Sequence, residues 1–170
     1  MAYPKRERAA MKPDMALQRL MAICSRKETS EWEVLKKLST WKVDPEKHQS
    51  ILKDLTKQGF VNNQRFAIAF AHDKARFNKW GPRKIEQALS IQKIDPTVIK
   101  EALQKVEEVQ GAEVLIDLLK RKASSVKWEN KNDLKVKLIR FGLSRGFDYS
   151  NVMTAASAIA KTADNNFDEN

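Results

Sequence analysis

Three stretches of the chain share one grammar: VDPEKHQSIL (43–52), IDPTVIKEAL (94–103) and FDYSNVMTAA (147–156). Each opens on an apolar residue followed by Asp. Counted from the Asp, small or apolar residues follow near the fifth and ninth positions: His48 and Leu52, Ile99 and Leu103, Val152 and Ala156, with His48 the weakest match. Asp44, Asp95 and Asp148 lie 51 and then 53 residues apart. A repeat of this period restricts the chain to a tandem array, in which each unit buries a small core and leans on its neighbours.

The local chemistry of each unit is helical. Asp44, Asp95 and Asp148 read as N-caps, accepting the orphan amide protons of a new helix, and Pro45 and Pro96 occupy the first helical position, where proline costs nothing. A second helix precedes each of these. It is SEWEVLKKL (30–38), with Ser30 and Glu33 as a capping box, then GPRKIEQAL (81–89), then NDLKVKLIRF (132–141), with Asn132 or Asp133 as cap. A leading helix starts each unit. Its apolar stripe is Leu17, Leu20, Met21 and Cys24 in the first, and Phe66, Phe70 and Phe77 in the second, beginning at Asn62-Asn63. In the third it is Val114, Leu115, Leu118 and Leu119. The reading is all-α: nine helices in three tandem three-helix modules, forming an elongated, curved body. The modules run over 14–59, 60–110 and 111–163, with Gly59 and Gly111 as boundary residues. A basic N-terminal arm (1–13) and an acidic, disordered tail (164–170) flank them.

Charge points to a polyanionic partner. The net charge is +10, and the three acids of the tail (Asp164, Asp168, Glu169) leave +13 for the rest. Window 72–93 sets Lys74, Arg76, Lys79, Arg83, Lys84 and Lys93 against Asp73 and Glu86. Window 115–145 sets nine bases, among them Lys122, Lys135, Lys137, Arg140 and Arg145, against Asp117, Glu129 and Asp133, with few opposite charges one helical turn away. Catalysis is poorly supported. The two histidines, His48 and His72, stand in no metal-ligand spacing, the five glycines form no phosphate loop, and the single Cys24 lies on an apolar stripe. No metal or cofactor is expected. Without an 18-residue apolar window, or an apolar core in MAYPKRERAAMKPD, the expectation is a cytoplasmic protein with no membrane partner.

SEWEVLKKL, QGFVNNQRFA (58–67), GPRKIEQAL with IDPTVIKEAL, and RFGLSRGF (140–147), in this order and at these separations, make residues 14–160 resemble the RecX family of bacterial recombination regulators. The resemblance implies a monomeric, three-module helical protein that binds RecA recombinase filaments on single-stranded DNA and restrains their ATPase and strand exchange. The chain departs from the family pattern in places. Trp41-Lys42 and Gln92-Lys93 stand where Lys-Gly is usual, Asn63 has an amide near a usual acid, and Gly142 stands where leucine is frequent.

The residues expected to contact RecA or DNA are Lys79, Arg83, Lys84, Arg140 and Arg145, with Arg76, Lys93, Lys135 and Trp80 beside them. Trp80 either staples the start of its helix or stacks on a base, and Trp128 carries the same alternatives. Arg83 and Lys84 follow Gly81-Pro82 at the positive end of a helix dipole, where cations cost about 0.3–1 kcal/mol each. With free amide protons there, the helix start reads as a phosphate or carboxylate site. Reversing Arg83 and Lys84 to Glu is then expected to weaken filament binding and leave melting nearly unchanged. The alternative function is a plain single-strand-binding protein with no recombinase partner.

Overall fold

The structure is a computed structural model that describes residues 9–110 and 113–163. The described part of the arm therefore begins at residue 9, and Gly111 and the tail 164–170 lie outside the described residues. Among the described residues there are nine α-helices and no strand. They are α1 (Pro13–Cys24), α2 (Glu31–Thr40), α3 (His48–Lys57), α4 (Asn63–Asn78), α5 (Pro82–Ile91), α6 (Pro96–Gln110), α7 (Glu113–Ser125), α8 (Lys131–Ser144) and α9 (Tyr149–Thr162). A 3-10 turn, Pro45–Lys47, leads into α3.

Three separate cores hold these helices in threes. Ala16, Leu20, Val34, Leu38, Ile51 and Leu55 fill the first. Phe66, Ala67, Ala71, Ala75, Ile85, Leu89, Ile99 and Ala102 fill the second, and Leu115, Leu119, Leu134, Leu138, Val152 and Ala156 the third. Every extensive helix–helix pairing lies within one triplet. Cys24 belongs to the first core, and burial raises its thiol pKa.

The caps explain where the helices begin. Ser30 Oγ accepts from the Glu33 amide at 3.1 Å, so half of the expected capping box forms. The Glu33 carboxylate turns to Lys27 instead, 3.8 Å away. Asp95 and Asp148 each accept from the amide two residues on, at 2.8 and 2.9 Å, and from the hydroxyl beside it. Asp44 accepts from the Glu46 amide alone, at the 3-10 turn rather than at α3 itself, because the helix tightens over Pro45–Lys47 before opening into α form. The cap of α8 differs from the expectation of Asn132 or Asp133. Asn130 takes that place, its side-chain oxygen accepting from both the Asn132 and Asp133 amides, and the helix starts at Lys131.

The ends of the second helices explain the departures from Lys-Gly. After α2, the Lys42 amide donates to Ser39 O and the Val43 amide to Leu38 O. After α5, Lys93 donates to Ser90 O and Ile94 to Leu89 O. After α8, Gly146 donates to Leu143 O and Phe147 to Gly142 O. This is the Schellman pattern, which needs a left-handed residue just past the helix. Lys42 (φ 54°) and Lys93 (φ 60°) adopt it as Gly146 does (φ 86°), so the turn survives without glycine at a local conformational cost.

Neighbouring modules meet by the same elements each time. The start of α2 reaches the end of α5, where Ser30 Oγ donates to Gln92 Oε1 at 2.7 Å. The Asn63 side chain caps the Glu31 amide at 3.0 Å, and Arg65 pairs with Glu28. The start of α5 likewise reaches the end of α8, where the Gly81 amide donates to Arg145 O at 2.7 Å and the Arg83 amide to Gly146 O at 3.0 Å. Using one contact twice sets the modules in a row, as in other tandem arrays.

Candidate nucleic-acid and protein interface

The second of these joints gathers most of the expected site. Gly81 sits so close to the following module that a Cβ there would lie 2.5 Å from Gly146 C, Gly146 O and Phe147 N. A Cβ on Gly146 would meet Lys84 Cβ at 2.4 Å. Only glycine allows backbone to lie on backbone at this spacing. The turn from α8 to α9 thus occupies the N-terminus of α5. Two of the amide protons at this helix start are already taken: Gly81 and Arg83 give theirs to module 3 carbonyls, and Pro82 has none. A carboxylate of the chain itself also lies beside this helix start: the Arg83 guanidinium pairs with Asp148. Ser150 hydroxyl and amide donors, together with the charge of Arg83, hold the Asp148 pKa below the usual carboxylate range. Lys84 Nζ donates to Ser144 O at 3.1 Å, and Arg145 Nη1 returns the link by donating to Asn78 O at 3.1 Å. Arg83, Lys84 and Arg145 therefore fasten modules 2 and 3 as well as lining their surface.

Aromatic rings organise the cations around the joint. Lys74 Nζ and Lys84 Nζ lie 5.2 and 5.0 Å from the Trp80 ring. Lys122 Nζ and the Arg145 guanidinium lie 5.4 and 5.1 Å from Phe141. Together these pairs form a cation–aromatic band that starts on α4, crosses the joint and ends on α7. Trp80 itself is half-buried against the second core, in keeping with the staple, and Trp128 packs likewise on the third. Arg83 remains 64% exposed, so most of its five N–H donors still face solvent. Beside the band, a cleft of about 930 Å³ opens between modules 2 and 3. Its walls include Leu103, Val106, Leu115, Phe147 and Ile159.

Arg76 in the last turn of α4 and Lys79 at its left-handed end are near the band in sequence, Lys79 between Asn78 and Trp80, and both are exposed. The other three lie elsewhere and make none of the joint contacts described above. Lys93 lies past the opposite end of α5, near the first joint, about 15 Å of helix away. Lys135 is half-buried in the first half of α8. Arg140 shares a helix face with Asp133 and Lys137; the hydrogen bond from Lys137, with Arg140's charge behind it, lowers the Asp133 pKa. Two bases in window 115–145 have partners one turn away, Arg121 with Asp117 and Lys137 with Asp133, so its charge is less unpaired than the spacing suggests.

Phe77 reverses its expected place. It is 70% exposed, with the Arg76 guanidinium 5.3 Å from its ring. The buried line of α4 is Ala67, Ala71 and Ala75, and the phenylalanine line runs roughly 100° round the helix from it. Phe66 is buried, Phe70 half-buried and packed 5.7 Å from Phe66, and Phe77 emerges at the end. Lys74, Lys122 and Phe141 were not singled out for the site from the sequence. Among the described residues no group of His, Cys, Asp or Glu could hold a metal ion, and no helix is long and apolar enough to cross a membrane.

A family model described as RecX, second three-helix domain, matches residues 62–103, which span α4, α5 and the first half of α6. Regulatory protein RecX of Acinetobacter baylyi is 32% identical over 138 residues, covering 81% of this chain and 84% of that protein. The chain belongs to the RecX family. A RecX of Neisseria meningitidis serogroup C, also named regulatory protein, is 33% identical over 147 residues, covering 85% of this chain and 92% of its own. The crystal structure of RecX from Lactobacillus salivarius shares the fold with a TM-score of 0.75, at 18% identity, over 86% of this chain and 96% of that one. A second RecX crystal structure, 25% identical, gives a TM-score of 0.69 over 82% of this chain and 68% of its own. RecX proteins are thus regulators built on this all-helical array, and this chain is one of them.

Proposed function

We propose that the chain regulates RecA recombinase by binding along RecA–DNA filaments, and that it inhibits their ATP hydrolysis and strand exchange. The cation–aromatic band across the joint of modules 2 and 3 carries this reading. It supplies positive charge on a fixed backbone, because the joint is closed by two backbone hydrogen bonds rather than by side chains alone. A fixed charged surface suits a periodic polymer, whose repeats present the same acidic groups or phosphates at set intervals. Arg76, Lys79 and Arg83 provide exposed cations, and Phe77 an exposed apolar anchor among them. The same band also suits naked single-stranded DNA, through phosphate charge and base stacking.

A salt series separates the two. The chain is titrated against single-stranded DNA and against RecA filaments on that DNA from about 50 to 300 mM salt. Tighter binding to filaments, persisting at the higher salt, supports the regulator. Equal affinity for both, falling in parallel with salt, leaves only a DNA-binding protein.

A further inference from the structure

Module 1 carries a second aromatic site, well away from the joint of modules 2 and 3. The outer face of α2 forms a groove of about 340 Å³ whose walls include Trp32, Trp41, Lys27, Lys36, Lys37 and Glu33. Both indoles are half-buried. Trp41 packs against the first core, whereas Trp32 stands on the side of α2 opposite Val34 and Leu38 and outside that cluster. A tryptophan on the solvent side of a helix does nothing for the core beneath it. The residues around it are also unlike an ordinary solvated face. Lys36 Nζ lies 4.7 Å from the Trp32 ring, and the Arg19 guanidinium 4.8 Å from the Trp41 ring. Glu33 is the only acid among the residues lining the groove, and its buried Oε2 makes no hydrogen bond, only the 3.8 Å ion pair with Lys27.

We propose that this groove binds a nucleotide of single-stranded nucleic acid, with a base stacked on Trp32 and its phosphate held by Lys36 and Lys37. The occupant follows from the chemistry. Two flat apolar rings edged by three lysines complement a planar, uncharged base attached to an anion. An acidic peptide would use the lysines but leave the ring faces unmatched. The cation on Trp32 is replaceable. A base taking the ring face displaces the Lys36 ammonium, which its flexible stem can carry to the adjoining phosphate. The volume fits one base, so the contact is a single-nucleotide one and reads no sequence by itself. Modules 1 and 2 touch at the start of α2, so the groove lies on the same continuous array as the joint band. Use of both by one strand rests on the nucleic-acid part of the proposed function, but binding in the groove does not.

The test uses the full chain with Trp80→Phe and Trp128→Phe, which leaves Trp32 and Trp41 as the only tryptophans. Addition of the pentanucleotide dT5 at low salt is expected to quench indole fluorescence. Trp32→Ala, which removes a ring lying outside the core, is expected to weaken dT5 binding roughly tenfold by anisotropy of labelled DNA. Lys36→Ala, which keeps both rings, is expected to weaken it severalfold and to reduce its salt dependence. The proposal is overturned if dT5 causes no quenching, or if an abasic pentanucleotide or a Glu-rich peptide binds this groove as tightly as dT5. Absence of quenching, with filament inhibition by the unsubstituted chain intact, removes the groove alone. Quenching in this variant, with no filament inhibition by the unsubstituted chain, supports the groove and removes the recombinase reading alone.

Discussion

Gly81→Ala probes the joint most sharply. The added methyl would sit 2.5 Å from three backbone atoms of Gly146 and Phe147, whereas ordinary contact begins near 3.4 Å. The two modules must part by about 1 Å, beyond the reach of the Gly81–Arg145 and Arg83–Gly146 hydrogen bonds, now 2.7 and 3.0 Å. Two lost backbone bonds at about 1 kcal/mol each, plus about 1–2 kcal/mol of residual crowding, give a cost of roughly 3–4 kcal/mol. Gly59→Ala is the matched control. Gly59 has φ +76° and nothing within 4 Å of a Cβ, so only backbone strain of about 1–2 kcal/mol applies. Urea unfolding gives the two costs, and amide hydrogen exchange at Arg83 shows whether the joint opens. The three cores themselves should keep their helicity. A Gly81→Ala cost no greater than that of Gly59→Ala, with the Arg83 amide still protected, would refute a joint built on backbone contact.

Reversal of Arg83 and Lys84 to Glu places carboxylates against Asp148 and the Ser144 carbonyl, so it should lower the urea midpoint as well as filament affinity. Lys79→Glu should lower affinity alone; equal melting for both variants would show that Arg83 and Lys84 do not hold the joint. Lys93→Gly should stabilise by about 0.5–1 kcal/mol, because glycine adopts the left-handed turn without strain, and a lower melting temperature would contradict this. The depressed Asp148 pKa gives stability that is present above the unfolded value of about 4 and is lost as pH falls through the lower folded value. Urea midpoints measured between about pH 5 and pH 2 should therefore fall less steeply for Asp148→Asn, which keeps a cap but loses the charge. Parallel curves would exclude Asp148 from the acid response.

What the sequence revealed was mostly local. Ser30, Asn62, Asp95 and Asp148 cap helices because a short polar side chain reaches an amide two or three residues on, whatever the rest of the chain does. The three cores follow from helical spacing for the same reason. The joint was hidden because its partners lie far apart in sequence: Arg83 meets Asp148 across 65 residues, and Arg145 meets Asn78 across 67. Read alone, GPRK and SRGF each look like a helix end with surplus charge; only together do they become one contact. Phe77 departs from its helical stripe because the close-packed line of α4 is its alanines, so an aromatic on the adjoining line can end in solvent. Lys42 and Lys93 depart from the usual Lys-Gly, yet the hydrogen bonds around them hold the left-handed conformation.

The central claim is regulation of RecA, and steady-state ATP hydrolysis by RecA on single-stranded DNA tests it most directly. The chain is titrated from far below to equal the RecA concentration, with Lys79→Glu in parallel. Hydrolysis is expected to fall well below equimolar amounts of the chain, and Lys79→Glu should need several times more protein for the same effect. Unchanged hydrolysis at equimolar chain, under conditions where it binds the same DNA, would contradict the account.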